Sequence, residues 1–166
     1  EVSPDSNWFA VCREWNVYLE NDATGQKIQV TSGGRRKFRY GTANWTYGEE
    51  LGVRHGMWWS PDSKRLVYYV FDERPVRDFY LLKDMTAIYP TLSNEGYIKA
   101  GEKNPVVWLE IYDLDSKTRK SVDVGQRERD QYIYNMRFAP SGDELLFNRT
   151  DRYQQNLEVV AVNVKT

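Results

Sequence analysis

Two adjacent carboxylates, Glu49 and Glu50, form a pair whose residue types and spacing suggest a binding chemistry. They follow two aromatic residues, Trp45 and Tyr47, in one short stretch. Two carboxylates in a partly desolvated pocket bind a primary ammonium group strongly, because charge assists each hydrogen bond. From residue types alone, surface acids or helix caps are the simpler interpretation of the glutamates. The two aromatic residues fit packing as well as they fit pocket walls.

Residues for nucleophilic or metal-assisted catalysis are not found in the sequence. His55 is the only histidine, Cys12 is the only cysteine, and no serine has a Gly-x-Ser-x-Gly setting. His55 is therefore a poor candidate for a catalytic base. We expect these residues to contain no catalytic group, no metal site and no cofactor, and to be inactive by themselves.

The overall composition is that of an ordinary globular domain. Hydrophobic residues make up 40% and charged residues 28% of the chain, which argues against wholesale disorder. A formal net charge of -1 provides no field that would select nucleic acid. We therefore expect the basic run Arg35–Lys37, with Arg39 beside it, to be a solvated loop. No apolar run approaches the ~20 residues needed to cross a bilayer.

A short turn motif recurs along the chain. Ser3-Pro4-Asp5-Ser6 recurs as Ser60-Pro61-Asp62-Ser63, with a weaker copy at Ala139-Pro140-Ser141-Gly142. Proline presets φ for a turn, and Asp, Ser and Gly suit its other positions. An apolar run follows each copy, so each motif is predicted to be the turn of a β-hairpin.

The strand-like runs around these turns predict an all-β fold. We expect a partial β-propeller of four-stranded antiparallel blades, about two and a half blades in all. Residues 1–31 should give the last three strands of one blade, residues 53–125 a complete blade, and residues 130–166 most of another. Because the repeats lie further apart than the usual ~40–50 residues, two insertions are assigned. These are a short helical arm over 35–56, which carries the glutamates, and a long inserted loop over 72–105.

The strand count predicts that residues 1–166 are a fragment of one propeller domain. Fewer than three blades cannot close a ring, and an open arc exposes sheet edges that closure would protect. The chain also opens on Glu1-Val2-Ser3-Pro4-Asp5, already inside a repeat. We expect it to be a piece of a longer protein.

Several stretches together resemble one enzyme family. Asn44-Trp45-Thr46-Tyr47-Gly48-Glu49-Glu50 is similar to the Asp-Trp-Val-Tyr-Glu-Glu-Glu motif of the dipeptidyl-peptidase IV family of serine peptidases, which are prolyl oligopeptidase-like. Trp58-Trp59-Ser60-Pro61-Asp62, Phe71-Asp72-Glu73 and the run Tyr97…Ala100-Gly101…Asn104-Pro105 follow in the family's order, with Ile98 where proline is usual. The resemblance covers essentially the whole chain.

The resemblance implies a function that these residues only partly contain. In the family, the last two glutamates of the motif hold the free amino terminus of a peptide substrate, and they correspond to Glu49 and Glu50. An α/β-hydrolase domain later in the parent chain would carry the serine triad, and the propeller would gate access to it. The family also suggests a periplasmic or otherwise exported enzyme and allows a homodimer of the parent.

Three departures from the family motif lie in the arm. Asn44 replaces the usual aspartate, Thr46 replaces valine, and Gly48 replaces the first of three glutamates. Gly48 leaves the glutamate pair intact but adds conformational freedom to the backbone. The alternative hypothesis from a different functional class is a non-catalytic β-propeller that binds other proteins, since one fold supports many functions.

Overall fold

The computed structural model describes residues 1–165, which are almost entirely β-structure. The helix, α1, spans Trp45–Glu50, and no helix in this part of the chain is long and apolar enough to cross a membrane. The strands in chain order are β1 (Phe9–Arg13), β2 (Asn16–Glu20), β3 (Lys27–Gln29), β4 (Phe38–Tyr40), β5 (Met57–Trp59), β6 (Arg65–Asp72), β7 (Asp78–Lys83), β8 (Thr91–Gly96), β9 (Val106–Asp113), β10 (Thr118–Ser121), β11 (Gln131–Phe138), β12 (Glu144–Asp151) and β13 (Leu157–Asn163).

The strands form separate antiparallel sheets of the kind predicted for propeller blades. The first sheet has the order β1-β2-β3 and the last has the order β11-β12-β13. Between them lies a sheet of order β10-β9-β6-β4, in which β5 also pairs with β6. None of these sheets closes on itself, and the prediction of an all-β, partial β-propeller is confirmed.

The recurring turn motif has the same geometry in its two full copies. The hydroxyl of Ser3 accepts a hydrogen bond from the amide of Trp8, and Ser60 does the same for Arg65, each at 2.9 Å. The fourth residue of every copy has a left-handed backbone, with φ of 63° at Ser6, 60° at Ser63 and 74° at Gly142. The amide of Asp5 donates to Ser63 Oγ at 3.0 Å, so the turns of neighbouring sheets touch.

Strand β6 lies at the centre of the core. All six residues from Leu66 to Phe71 are fully buried. The strand pairs with β9 on one edge and with β4 and β5 on the other. Because successive side chains point to opposite faces, their full burial means that both faces are covered. A strand that is covered on both faces needs a continuous apolar run rather than an alternating one, and β6 has that pattern.

The first insertion differs from the prediction in its boundary and its place. Residues 38–40, assigned to the arm, form β4 and pair with Val70–Asp72 of β6, while β5 pairs with Leu66–Tyr68 along the same edge. The two short strands therefore act as one interrupted edge strand. The arm is an excursion from within this blade and does not begin between two blades.

The second insertion also differs from the prediction. The inserted loop over 72–105 contains a β-hairpin, in which β7 pairs with β8 from Asp78↔Gly96 to Lys83↔Thr91. The two strands were not predicted from the sequence, because their side chains do not alternate between apolar and polar residues. Most residues of β7 and the first residues of β8 are exposed.

Candidate functional site

The arm leaves and rejoins the sheet at two glycines that flank one residue of β6. The amide of Gly41 donates to the carbonyl of Tyr69 at 2.9 Å, and the amide of Tyr69 donates to the carbonyl of Gly56 at 3.0 Å. A Cβ atom on Gly56 would lie 2.5 Å from Gly41 O. The two ends of the arm can approach this closely only because Gly56 lacks a side chain. A Cβ atom on Gly41 would instead lie 2.5 Å from Val17 Cγ2.

The arm contains a single short helix with a defined start and end. Asn44 has an extended backbone, and its Oδ1 accepts a hydrogen bond from the amide of Tyr47 at 3.0 Å, which is the usual N-cap arrangement. Gly52 has φ of +63°, a left-handed conformation that ends the helix after the C-cap residue Leu51. The helix is thus fixed at both ends by local chemistry.

Glu49 and Glu50 are the last two residues of α1, and both are exposed. Within residues 1–165, neither carboxylate forms an ion pair or a hydrogen bond. Adjacent residues on a helix point about 100° apart, so two neighbouring glutamates can converge on one ligand only near the end of the helix. Their terminal position meets that geometric requirement. The partial negative charge at a helix C-terminus adds to the attraction for a cation.

Tyr47 is in the core and does not line an open pocket. It is 1% exposed, and its ring packs edge-on against Tyr69 and Phe71 with centroids 5.6 Å and 4.9 Å away. Its hydroxyl accepts a hydrogen bond from the amide of Ile133 at 3.0 Å. Burial raises the pKa of the Tyr47 phenol, which keeps it protonated. Of the two roles considered for Tyr47, packing in the core is therefore the one that the structure shows, and a pocket wall is not.

Trp45 lies at the surface and links the arm to the inserted hairpin. Its ring is 39% exposed and its centroid is 4.7 Å from that of Tyr97. The ring of Tyr97 in turn packs against that of Phe79 in β7, with centroids 5.6 Å apart. Lys99 Nζ lies over the Phe79 ring, 5.4 Å from its centroid. One face of Trp45 is thus used for packing, while the rest of the ring remains accessible beside the helix.

A buried charged cluster lies beneath the base of the arm. Glu73, which follows β6, is 1% exposed, and its Oε2 is 2.8 Å from Nε of Arg39 in β4. Arg39 also reaches Glu95 of β8, with Nη2 to Oε1 at 3.1 Å. Burial raises the pKa of Glu73, and the Arg39 charge and the neighbouring Asn44 side chain oppose that shift. Neither carboxylate oxygen of Glu73 accepts a well-aligned hydrogen bond within residues 1–165.

The basic run before the arm is structured and is not the solvated loop that we expected. The guanidinium of Arg36 donates a bidentate pair of hydrogen bonds to the carboxylate of Asp78, at 3.0 Å and 2.7 Å. Lys37 Nζ lies 2.6 Å from the same carboxylate. These contacts hold the pKa of Asp78 down at about 2. Together with the Arg39–Glu95 contact, they attach the inserted hairpin to the edge strand that carries the arm.

An open cleft of about 410 Å³ lies beside the C-terminal end of the arm. Its wall includes Val53, Arg54 and His55 from the arm and Tyr134 and Met136 from β11. His55 is exposed, and its Nδ1 is 2.5 Å from Oε1 of Glu1. No serine, cysteine or second histidine lies in the wall of this cleft as the structure describes it.

Arg39 and Glu73 have no role that the sequence predicts. Glu73 appeared only as part of the Phe71-Asp72-Glu73 motif, and Arg39 only as part of a basic run. No local signal was available, because Glu and Arg side chains are mostly exposed and are rarely fully buried unless paired. The partner of Glu73 could not be found from sequence, since the two residues are 34 positions apart.

Known proteins with similar sequences and structures share this architecture. All of residues 1–166 match the family model described as dipeptidyl peptidase IV (DPP IV) N-terminal region. The chain is 33% identical to a probable dipeptidyl-aminopeptidase B of Fusarium vanettenii over 98% of its length and 32% identical to one of Aspergillus clavatus over 99%. It spans 19% of the length of each of these curated relatives.

A crystal structure gives the same result at the level of the fold. Dipeptidyl peptidase 4 of Porphyromonas gingivalis superposes with a TM-score of 0.92 and 31% identity, over 99% of this chain and 24% of that one. A putative dipeptidyl aminopeptidase IV from Bacteroides ovatus, at 20% identity, has the same fold with a TM-score of 0.73. The chain therefore belongs to the dipeptidyl peptidase IV family and represents part of its N-terminal region.

Proposed function

We propose that this region binds the free amino terminus of a peptide substrate through Glu49 and Glu50, as part of the propeller of a serine-type dipeptidyl peptidase. The observation that carries the proposal is the contrast within the arm. Its backbone is fixed by an N-cap, a left-handed end and two tight glycine contacts, while the two terminal carboxylates are exposed and have no partner within the described residues. A ligand cation would supply that partner.

The expected binding energy is sufficient to select peptides with a free amino terminus over peptides with a blocked one. A hydrogen bond to a charged group contributes about 1.5–3 kcal/mol, and a substrate ammonium can donate one to each glutamate. A peptide with a blocked amine would lose these bonds and leave both carboxylates desolvated without a partner. The arm would therefore measure distance from the amino terminus, as removal of dipeptides requires.

The chemical step is assigned to residues outside this chain. We propose that a C-terminal α/β-hydrolase domain of the parent carries the Ser-Asp-His site and that the propeller gates access to it. The proposed compartment is periplasmic or otherwise exported, which fractionation of cells that produce the parent would test. No cofactor is needed for this reaction.

The anchoring role is tested with two substrates that differ only in the amine. Gly-Pro-p-nitroanilide has a free amino terminus, and acetyl-Pro-p-nitroanilide is the same molecule without the amino group. In the full-length parent, Glu49→Ala and Glu50→Ala should each lower kcat/KM on the first substrate by about 10- to 100-fold, which corresponds to one charge-assisted hydrogen bond. The rate on the second substrate should not change.

The matched control is Glu144→Ala, which removes an exposed glutamate from the start of β12, outside the arm. It should leave both rates at the wild-type level. If Glu49→Ala and Glu50→Ala also retain the wild-type preference for the free amine, the anchoring proposal is wrong.

A second candidate function, binding of another protein surface, is favoured by the inserted hairpin. Tyr80, Leu82, Ile88, Tyr89 and Leu92 are each more than half exposed. A two-stranded hairpin is marginally stable in water, so such a surface is expected to be covered by another part of the parent or by a second copy of it. Light scattering of the parent with Leu82→Lys and Leu92→Lys tests the homodimer, which should dissociate if this surface holds it together.

A further inference from the structure

We propose that Tyr97 is a positioning residue for the glutamates of the arm and that it acts on them through Trp45. The inference rests on the proposed amine-binding function and names a residue that serves it from outside the binding site. Tyr97 directly follows β8, the last strand of the inserted hairpin, and Trp45 is the first residue of α1. The pair therefore joins the hairpin to the helix that carries Glu49 and Glu50.

The contact between the hairpin and the helix is a direct one between two rings. The centroids of Trp45 and Tyr97 are 4.7 Å apart, with an angle of 51° between the ring planes. An aromatic pair at this separation contributes more than the apolar area that it buries. Trp45 is 39% exposed, so the larger part of its surface is covered. Tyr97 is the ring that restrains it on one side.

Tyr97 is itself held in place, as a positioning residue must be. Its amide donates a hydrogen bond to the carbonyl of Arg77 at 3.1 Å, which extends the pairing of the hairpin by one step. Its ring packs against that of Phe79, with centroids 5.6 Å apart. The bidentate contact of Asp78 with Arg36 fixes the base of the hairpin to the chain that precedes the arm. Trp45 therefore packs against a ring that is attached to the body of the protein.

The helix needs support on this side because its contact with the core is on the other. Tyr47 is the one buried residue of α1. Successive helical side chains are about 100° apart, so Trp45, two positions earlier, points about 200° away from Tyr47. A helix of six residues is unstable by itself in water, and Gly48 lowers its stability further. Packing on two opposite sides, by the core and by Tyr97, therefore defines how the helix is rotated.

Glu49 is on the side of the helix that Tyr97 supports. It lies four positions after Trp45, and residues four apart on a helix are neighbours on one face. Because helical side chains lean towards the N-terminus, the Glu49 side chain extends over the turn that begins at Trp45. A binding group must be held within about 0.5 Å of its productive position to act fully. Loss of the Tyr97 ring should therefore weaken binding of the substrate amine and leave the chemical step, which lies elsewhere, unaffected.

The experiment uses the full-length parent and the same two substrates, Gly-Pro-p-nitroanilide and acetyl-Pro-p-nitroanilide. Tyr97→Ala should lower the preference for the free amine about three- to tenfold, the range expected when an aromatic contact is lost. The loss should appear as a higher KM for Gly-Pro-p-nitroanilide at unchanged kcat. A structural defect would instead lower activity on both substrates equally. That result, or an unchanged preference, would overturn the proposal.

The conservative variant Tyr97→Phe should behave like the wild type. The amide of Tyr97 is hydrogen-bonded, whereas its hydroxyl forms no hydrogen bond within residues 1–165. A phenylalanine ring should therefore support Trp45 as well as the tyrosine ring does. If Tyr97→Phe lost as much preference as Tyr97→Ala, the ring contact would not be the cause and the proposal would be wrong.

A double-mutant cycle tests the route through Trp45. Trp45→Ala alone should lower the preference for the free amine at least as much as Tyr97→Ala does. Adding Tyr97→Ala to Trp45→Ala should cause no further loss, because the two residues act as one unit. Additive losses in the double variant would contradict the proposal. If Tyr97→Ala does not fold, Trp45→Ala at the surface decides, and an unchanged preference would count against the proposal.

Two controls separate the possible failures. Tyr18→Ala removes a partly exposed tyrosine of β2, outside the arm and the inserted hairpin, and should leave the preference unchanged. An equal loss in Tyr18→Ala would make the effect of Tyr97→Ala unspecific and would overturn the proposal. Glu49→Ala and Glu50→Ala are measured in the same series. If they change the preference and Tyr97→Ala does not, only the positioning role is wrong. If they have no effect, the anchoring function itself is wrong.

Discussion

The hydroxyl of Tyr47 accepts a hydrogen bond from the backbone amide of Ile133, 86 positions later in the chain. Tyr69 donates its own hydroxyl to the carbonyl of the same residue at 2.7 Å. Two tyrosines, one from the arm and one from the central strand, thus satisfy both backbone polar groups of Ile133 on β11. The arm is therefore attached to two neighbouring blades, which restrains the helix that carries the glutamates.

Removal of the Tyr47 hydroxyl should destabilise this contact. Tyr47→Phe keeps the ring in the core but leaves the buried amide of Ile133 without an acceptor, at a cost of about 1–3 kcal/mol. We expect a lower midpoint of thermal unfolding for the parent protein. Tyr18→Phe is the control, because Tyr18 is a partly exposed residue of β2 whose hydroxyl forms no hydrogen bond within residues 1–165. A midpoint for Tyr47→Phe equal to that of the control would contradict the prediction.

The glycine pair at the base of the arm should not tolerate a side chain. In Gly56→Ala the new Cβ would lie 2.5–2.6 Å from the backbone of Gly41 and Thr42, so the two ends of the arm would have to separate. We expect a loss of more than about 1 kcal/mol in the free energy of unfolding, measured by urea titration of the parent. The control is Gly101→Ala, because its new Cβ would meet no atom within 4 Å and the variant should show only the penalty for a positive φ. Gly34→Ala is a poor control, because its Cβ would also meet backbone atoms. Equal losses in Gly56→Ala and Gly101→Ala would refute the steric explanation.

Gly48→Ala should have the opposite sign. Gly48 lies inside α1, and a Cβ there would meet only Val53 O at 3.9 Å, an ordinary contact. Alanine favours a helix interior by about 0.5–1 kcal/mol relative to glycine. We expect slower amide exchange in the arm of the parent and a KM for Gly-Pro-p-nitroanilide that is equal or lower. Faster exchange would show that the arm needs the flexibility of glycine.

The contact between Asp78 and the Arg36–Lys37 pair should make stability depend on pH at acid values. The pKa of Asp78 is about 2 in the folded protein and near 3.8 when unfolded, so the unfolded state binds more protons as the pH falls. The contribution is complete above pH 5 and is lost as the pH decreases through about 4 to 2. Solvent screening near the surface limits it to about 1 kcal/mol.

Asp78→Asn tests this pH dependence. The difference in urea midpoint between the wild-type parent and this variant should be constant from pH 7 to pH 5 and should shrink towards pH 3. Asp115→Asn, which removes an exposed carboxylate paired with Lys64 at 2.7 Å, is a surface control and should show a smaller difference at pH 7. A difference for Asp78→Asn that does not change with pH would rule out an ionic origin.

Much of the fold could be predicted from the sequence because its signals are local. The recurring Ser-Pro-Asp turns and the apolar runs after them depend on φ preferences and side-chain alternation within a few residues. The hairpin β7–β8 was not predicted, because it lacks such a local signal. Phe79, Tyr80, Leu81 and Leu82 are consecutive apolar residues, so they give no alternating pattern.

The sequence by itself determined the strand-rich blades, the presence of two insertions and a short helical arm that carries Glu49 and Glu50. Tertiary structure decided what the arm is attached to. The burial of Tyr47 under β11, the split edge strand opposite Tyr69 and the Glu73–Arg39 pair all join residues that are distant in the chain. Such contacts depend on which faces pack together, and a pattern of neighbouring residues does not encode that choice.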